Sequence, residues 1–280
     1  MIILDYNAIA IGNVVTQKLE IEENLIRHMI LNSIRMYRSR FHKEFGELVI
    51  AGDAGGNWRY KAFPNYKASR KSGRSKSTMD WDEVFRIINM VWDELGENFP
   101  YKTVKVHGCE ADDVIAALVE NTQEFGQHEK VMIISADKDF AQLQKYDNVS
   151  QFSPMTKKYI KVDNPRTQLL ELILKGDGSD GVPNVLSGDD VFVTDQRQTP
   201  LRKPVMEALM EDPKSQGDEV YRNFQRNKKL IDLSETPADL KLEIINTFSK
   251  QDRWDQKAKV LPYLIEKRCR RLIDDIKDFI

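Results

Sequence analysis

The stretch Val131-Met132-Ile133-Ile134-Ser135-Ala136-Asp137-Lys138-Asp139 reads as a buried strand that breaks into two carboxylates on one tight turn. It is the most strand-like run of the chain, and its ending recurs elsewhere. Ile2-Ile3-Leu4 stops at Asp5, and Leu48-Val49-Ile50-Ala51 stops at Gly52-Asp53. Thr103-Val104-Lys105-Val106 leads through Gly108 into Glu110-Ala111-Asp112-Asp113. Helical patterns separate these runs. Leu25, Ile26, Met29, Ile30, Ile34, Tyr37 and Phe41 recur at helical spacing over about 22–45, with Arg27, Arg35, Arg38 and Lys43 on the other face. A second helix, from about 80 to 95, starts behind Asp80 as N-cap, and a third begins near Glu110. Strand and helix in alternation predict an α/β fold, a mostly parallel central sheet with helices on both faces.

Ligands of such sheets bind beyond the carboxyl ends of the strands, where Asp5, Asp53, Asp137 and Asp139 all fall. Asp112 opens a helix at the same end. A β-hairpin is expected over Val149–Phe152 and Lys158–Val162, and after about 165 the patterns are helical. The division expected is 1–164 for the α/β domain and 165–280 for a helical region. The Gly-rich turn Lys175-Gly176-Asp177-Gly178-Ser179-Asp180-Gly181-Val182-Pro183 interrupts the latter.

Each acidic motif has a plain alternative. Asp139 could cap the helix that follows it, Glu110 to Asp113 could serve a helix dipole, and Asp177 and Asp180 could simply form a turn. Together, however, these carboxylates would repel strongly unless divalent cations compensated them. Asp5, Asp53, Glu110, Asp112, Asp137 and Asp139 are the candidate metal ligands, and Asp177 and Asp180 the outer candidates. Asp113 is the weaker member of its cluster. Oxygen ligands select magnesium, with manganese as substitute, and the absence of histidine among them argues against zinc. Two such ions can drive an in-line phosphoryl displacement, so the implied reaction is phosphodiester hydrolysis.

Residues 54–79 are the one biased segment. From Gly55 to Met79 it carries Arg59, Lys61, Lys67, Arg70, Lys71, Arg74 and Lys76 with no acid, interleaved with Trp58, Tyr60, Phe63 and Tyr66. Cations for phosphates alternating with rings for bases suit single-stranded nucleic acid, whereas a solvated lysine-rich loop would leave the rings unexplained. Arg59 and Lys67 are the candidates to reach over the metals and polarise the scissile phosphate. Trp58, Tyr60, Lys61, Tyr66, Arg70, Lys71, Arg74 and Lys76 are the candidates to bind the strand.

The net charge of -2 over 280 residues says little about partners. The two cysteines, Cys109 and Cys269, stand in no metal-binding spacing and point to a reducing cytoplasm. No apolar run approaches the length of a membrane span.

In order and in neighbours, Ile3-Leu4-Asp5-Tyr6, Gly52-Asp53 with Trp58-Arg59 and Tyr66-Lys67, Glu110-Ala111-Asp112-Asp113, Ser135 to Phe140 and Lys175 to Asp180 resemble the 5′ nuclease family of flap endonucleases and 5′-3′ exonucleases, and within it the phage ribonuclease H branch. The similarity spans nearly the whole chain. It implies a PIN/5′-nuclease-like fold, two magnesium ions, an arch over them, and a helix-three-turn-helix element that holds duplex DNA. It also implies removal of RNA primers and adjacent DNA during phage lagging-strand replication in the host cytoplasm. The substrates implied are branched or nicked DNA and RNA-DNA hybrid, acted on by a monomer. A departure is Gly181, where many members have Asn. A single-stranded DNA-binding protein and a sliding clamp are further candidate partners. The tail Leu272 to Ile280 could dock on a clamp, but it reads better as a final amphipathic helix packed on the body. Two other readings compete: a PIN-type single-strand ribonuclease, and a non-cleaving DNA-junction binder.

Overall fold

A computed structural model describes residues 1–17, 21–68, 70, 78–124 and 128–280. Six strands form one sheet in the order β3-β2-β1-β4-β5-β6: β1 Ile2–Asp5, β2 Leu48–Ala51, β3 Lys102–Val104, β4 Val131–Ile134, β5 Val149–Ser153 and β6 Lys158–Ile160. The first five run parallel and only β6 is antiparallel. Asp5 stands beside Ala51, and Leu4 beside Ile134, so three strands end level.

Alternation along the strands feeds two cores. Ile2, Leu4, Leu48, Ile50, Met132 and Ile134 face helices α1 Tyr6–Gln17, α2 Glu23–Phe45 and α4 Trp81–Asn98. Met1, Ile3, Val49, Ala51, Val131 and Ile133 face α5 Ala111–Asn121 and α9 Ala238–Ser249. The helix α1 begins directly at the end of β1, and no sequence signal had marked it. The short helix α3 spans Arg59–Ala62. Asp80 caps α4 as expected, accepting from the Glu83 amide at 3.0 Å.

Beyond the hairpin no strand follows; α6 Pro165–Lys175, α7 Lys203–Glu211 and α8 Asp218–Ile231 build a third core with Phe63 and Tyr66. Gly176 ends α6 at a φ of +68°, and a Cβ there would lie 2.4 Å from the Val182 carbonyl oxygen. Only glycine allows that hairpin-like return. The chain closes with α10 Val260–Glu266, α11 Arg270–Ile273 and a final 3-10 turn. Phe279 is fully buried against Phe99, and its carbonyl accepts from the Tyr101 hydroxyl at 3.0 Å, so the tail is packed on the body. No helix among the described residues is long and apolar enough to cross a membrane.

Candidate nuclease site

At the carboxyl ends of β1, β2 and β4 the acids meet. Asp5 is buried; its Oδ1 accepts from the Ala8 amide at 3.1 Å and its Oδ2 from the Ser135 hydroxyl at 2.9 Å. Asp53 is oriented by Asn7 Nδ2 at 2.7 Å and by the Ala111 amide at 2.8 Å. Asp137 accepts from the Asp139 amide at 2.9 Å, so it is Asp137, not Asp139, that caps the 3-10 turn Lys138–Lys145. Asn7 and Ser135 escaped the sequence reading, because neutral polar side chains carry no charge pattern to reveal them.

Burial first, and then the neighbouring acids, raise the carboxyls of Asp5, Asp112 and Asp139. Asp5 is pushed up to about 7 by desolvation, by Asp53 and, against its hydrogen bonds, by Asp137. Asp139 is likewise pushed up to about 7 by burial and by Asp137 and Asp177. Asp112 stands well above the usual carboxylate range, through burial and the charges of Asp137, Glu110 and Asp5. Acids from five separate stretches therefore share one field.

Asp177 and Asp180 join them from the Gly-rich turn. With Asp112, Asp139 and Tyr66 they line a single recess. Asp177 also forms its turn, accepting from the Ser179 amide at 2.8 Å, and it pairs with Lys138 Nζ at 3.0 Å. Asp180 accepts from the Tyr66 hydroxyl at 3.0 Å and pairs with Arg70. Lys67 bridges the two groups: its ammonium is paired with Glu110 and lies 3.6 Å from Asp180. Burial would depress that ammonium, but Glu110 and Asp180 outweigh it and hold it above its ordinary value. The Lys67 backbone sits at a φ of +55° and its amide donates to the Asp180 carbonyl at 2.7 Å, a strained conformation fixed by the turn it serves.

Three expected site residues are placed otherwise. Arg59 is held inside the frame rather than free above the acids: it is 2% exposed, donates to the Leu230 carbonyl at 2.9 Å and lies 2.8 Å from Asp113, while its guanidinium stands 3.8 Å from Glu110 and lines the recess of Asp112, Asp139, Asp177 and Asp180. Trp58 is buried too, its indole N–H donating to Asp113 at 3.3 Å, and the Tyr66 ring is inside the third core with its hydroxyl on Glu110 at 2.8 Å. Neither ring is open for a base to stack on. Asp113 itself is fully buried, bound by Arg59, Trp58 and Thr236, and therefore belongs to the frame. Tyr60, Lys61 and Arg70 do remain exposed. With Asp53, Lys67 and Glu110, Tyr60 and Arg70 line an open groove beside the acids. Lys71, Arg74 and Lys76 lie outside the described residues.

Among the described residues no three Asp, Glu, His or Cys side chains close into a cage around one point. The donor set still suits a hard cation. Asp139 Oδ1 is buried without a hydrogen-bond partner, and magnesium is commonly held by one or two carboxylates, with water and phosphate completing its shell.

The chain matches the family described as "5'-3' exonuclease, N-terminal resolvase-like domain" over residues 5–169, and "T4 RNase H, C terminal" over residues 163–279. It is 31% identical to the ribonuclease H of Enterobacteria phage T4 over 293 positions, covering 99% of this chain and 95% of that one. It is also 31% identical to a 5′-3′ exonuclease of Buchnera aphidicola, over 49% of this chain and 47% of that protein. Among solved structures, the bacteriophage T5 flap endonuclease in a pseudo-enzyme-product complex with DNA and metal ions superimposes with a TM-score of 0.64, at 18% identity, over 89% of this chain and 99% of that one. The T5 5′-exonuclease with bound zinc gives 0.62, again at 18%, over 100% and 98%. These two likenesses speak for the fold, and the near full-length match to a ribonuclease H speaks for descent. The chain thus belongs to the 5′-3′ exonuclease family, with a C-terminal region of the T4 RNase H type, and is a nuclease.

Proposed function

We propose that the chain hydrolyses phosphodiesters at the 5′ ends of RNA-DNA hybrid and of nicked or branched DNA, with two magnesium ions, and so removes RNA primers with adjacent DNA. One observation carries the reading: carboxylates from separate stretches converge at the strand ends while the Asp139 Oδ1 atom lies buried without a partner. Asp5, Asp53, Glu110, Asp112, Asp137 and Asp139 would hold the ions, with Asp177 and Asp180 on the outer side. When bound, the ions supply an activated water and stabilise charge on the attacking and leaving oxygens.

The protein's own part is orientation and charge. Asn7 and the Ala111 amide hold Asp53, while Ser135 holds Asp5, so neither carboxylate can turn away from the crevice. Lys67 and Arg70, on the groove wall, can exchange their carboxylate partners for oxygens of the scissile phosphate. Tyr60, exposed above them at 5.8 Å from the Tyr66 ring, offers a face to a base. In this reading Tyr66 positions Glu110 and Asp180.

The test is the product length from 5′-labelled flap, nicked and hybrid substrates, with magnesium, with manganese and with chelator. Short 5′ products from paired or branched ends, absent with chelator, are expected. Cleavage confined to unpaired RNA would instead favour a single-strand ribonuclease.

A further inference from the structure

The acids of the site divide by what already holds them. Asp5, Asp53, Asp112, Asp137 and Asp139 form no ion pair among the described residues, whereas Glu110, Asp177 and Asp180 each carry a cation of this chain. Lys67 and Arg70 serve Glu110 and Asp180 from the groove wall. The third cation comes from inside the acidic turn itself. Lys138 stands between Asp137 and Asp139 at the start of the 3-10 turn, and its Nζ lies 3.0 Å from Asp177 Oδ2. That turn packs on α6, whose end leads through Gly176 to Asp177, so the two residues meet where the α/β domain joins the helical region.

Asp177 has little freedom of its own. Its amide donates to the Val182 carbonyl at 2.8 Å, and its carbonyl accepts from the Val182 amide at 2.8 Å. Its Oδ1 accepts from the Ser179 amide at 2.8 Å and from the Ser179 hydroxyl at 2.6 Å. Oδ2 alone is left to face a cation, and Lys138 takes it. The two partners are held unequally: the Asp177 side chain is 10% exposed, while that of Lys138 is 49% exposed and reaches its partner from the solvent side. Such a half-exposed pair contributes little to stability and opens easily. The ammonium is thus an exchangeable charge on a flexible stem, set against a fixed carboxylate.

We propose that Lys138 is the resident counter-ion of the outer acids: it occupies Asp177 in the resting chain, and an outer divalent ion binds there only by displacing it. This rests on the nuclease reading above. The inner carboxylates have no such competitor, so the first ion loads on them and the second is held back. Once displaced, the ammonium stays tethered beside the ion that replaced it. A unit charge at ion-pair range opposes a divalent ion by about tenfold in affinity even at the dielectric of water. Lys138 is therefore a positioning residue, which sets the metal concentration at which the outer site fills. The competing account, a surface pair that merely pins the turn to the loop, predicts no effect on metal at all.

The experiment counts ions on the intact, substrate-free chain. Manganese alone is titrated in, and free manganese is read by electron paramagnetic resonance for the parent, Lys138→Met, Lys138→Gln and Lys138→Arg. In Lys138→Met the second ion should bind about tenfold tighter, while the first should change by less than about threefold. Lys138→Gln, which keeps a donor for Asp177 without the charge, should behave like Lys138→Met and keeps the test open should the methionine variant lose stability. Lys138→Arg should bind like the parent. The magnesium needed for half-maximal cleavage should fall about tenfold in the two neutral variants. Unchanged or weaker binding of the second ion in both neutral variants overturns the proposal, and so does an arginine variant that binds as they do. A parent that binds no manganese sinks the nuclease reading as well, whereas a parent that binds it and is matched by its neutral variants sinks the proposal alone.

Discussion

Arg59 and Asp113 face each other inside the protein, Nη1 2.8 Å from the carboxylate, 54 positions apart in the chain. Burial alone would raise Asp113, but the Arg59 charge and hydrogen bonds outweigh it and hold the carboxyl below its usual range. The pair ties α3 at the root of the basic segment to the first turn of α5, and a further bond to Leu230 ties both to α8. Truncating Arg59 would strand a buried carboxylate. Arg59→Ala should cost about 3–5 kcal/mol in urea unfolding at pH 7. A fully stable variant that has lost only turnover would instead restore Arg59 to the chemistry.

That relationship also marks where sequence reasoning stops. The order of strands and helices was legible because β1, β2 and β4 are apolar runs with acids at their ends, and topology does the rest. The convergence of Asp5, Asp53, Asp112 and Asp137 followed from it. Which side a residue of the basic segment faces did not, since Arg59, Trp58 and Tyr66 are claimed by partners 54, 55 and 114 positions away. Cation and ring composition describes the segment but not its inner wall. The helix Tyr6–Gln17 was missed for a related reason: Asp5 looked like an end, yet its carboxylate accepts the Ala8 amide and starts the helix.

Asp112 sits among Asp137, Glu110 and Asp5 with burial against it, so the metal-free protein is destabilised by its own site. Asp112→Asn removes one member of that repulsion. It should raise the melting temperature in chelator by about 2–4 °C, as expected for about 1 kcal/mol in a chain of this size. Cleavage should vanish while junction binding stays. Magnesium should stabilise the parent chain more than the variant, because a ligand that binds only the folded state adds its free energy there. Lower stability of the variant without metal would contradict the crowding of charge.

Lys67 and Arg70 share Asp180, but Lys67 is 12% exposed between two carboxylates while Arg70 is 45% exposed at the groove wall. Lys67→Ala should therefore reduce kcat about 100-fold with little change in affinity, the scale of one lost charge-stabilising donor. Arg70→Ala should mainly raise KM, and more so at high salt. Single-turnover rates and Kd values at two salt concentrations separate the two. Equal effects on both parameters in both variants would count against this division.

Away from the site, Glu94 accepts from Arg27 Nε at 2.8 Å and from the Tyr263 hydroxyl at 2.7 Å. Burial pushes this carboxyl up, but the Arg27 and Tyr263 bonds prevail and its net position is below the ordinary 4.5. A carboxyl lowered on folding contributes stability that is fully present above its unfolded value and is lost as pH falls through the folded one. Glu94→Gln should thus cost about 2 kcal/mol at pH 7, the scale of a charge-assisted bond. The gap between parent and variant should close below about pH 4.5 as the parent takes up its proton. The raised site carboxyls titrate identically in both proteins, so they cancel from the difference. Urea midpoints at pH 7, 5 and 3.5 read it directly, and a gap that widens in acid would show that the ion pair is not what Glu94 contributes.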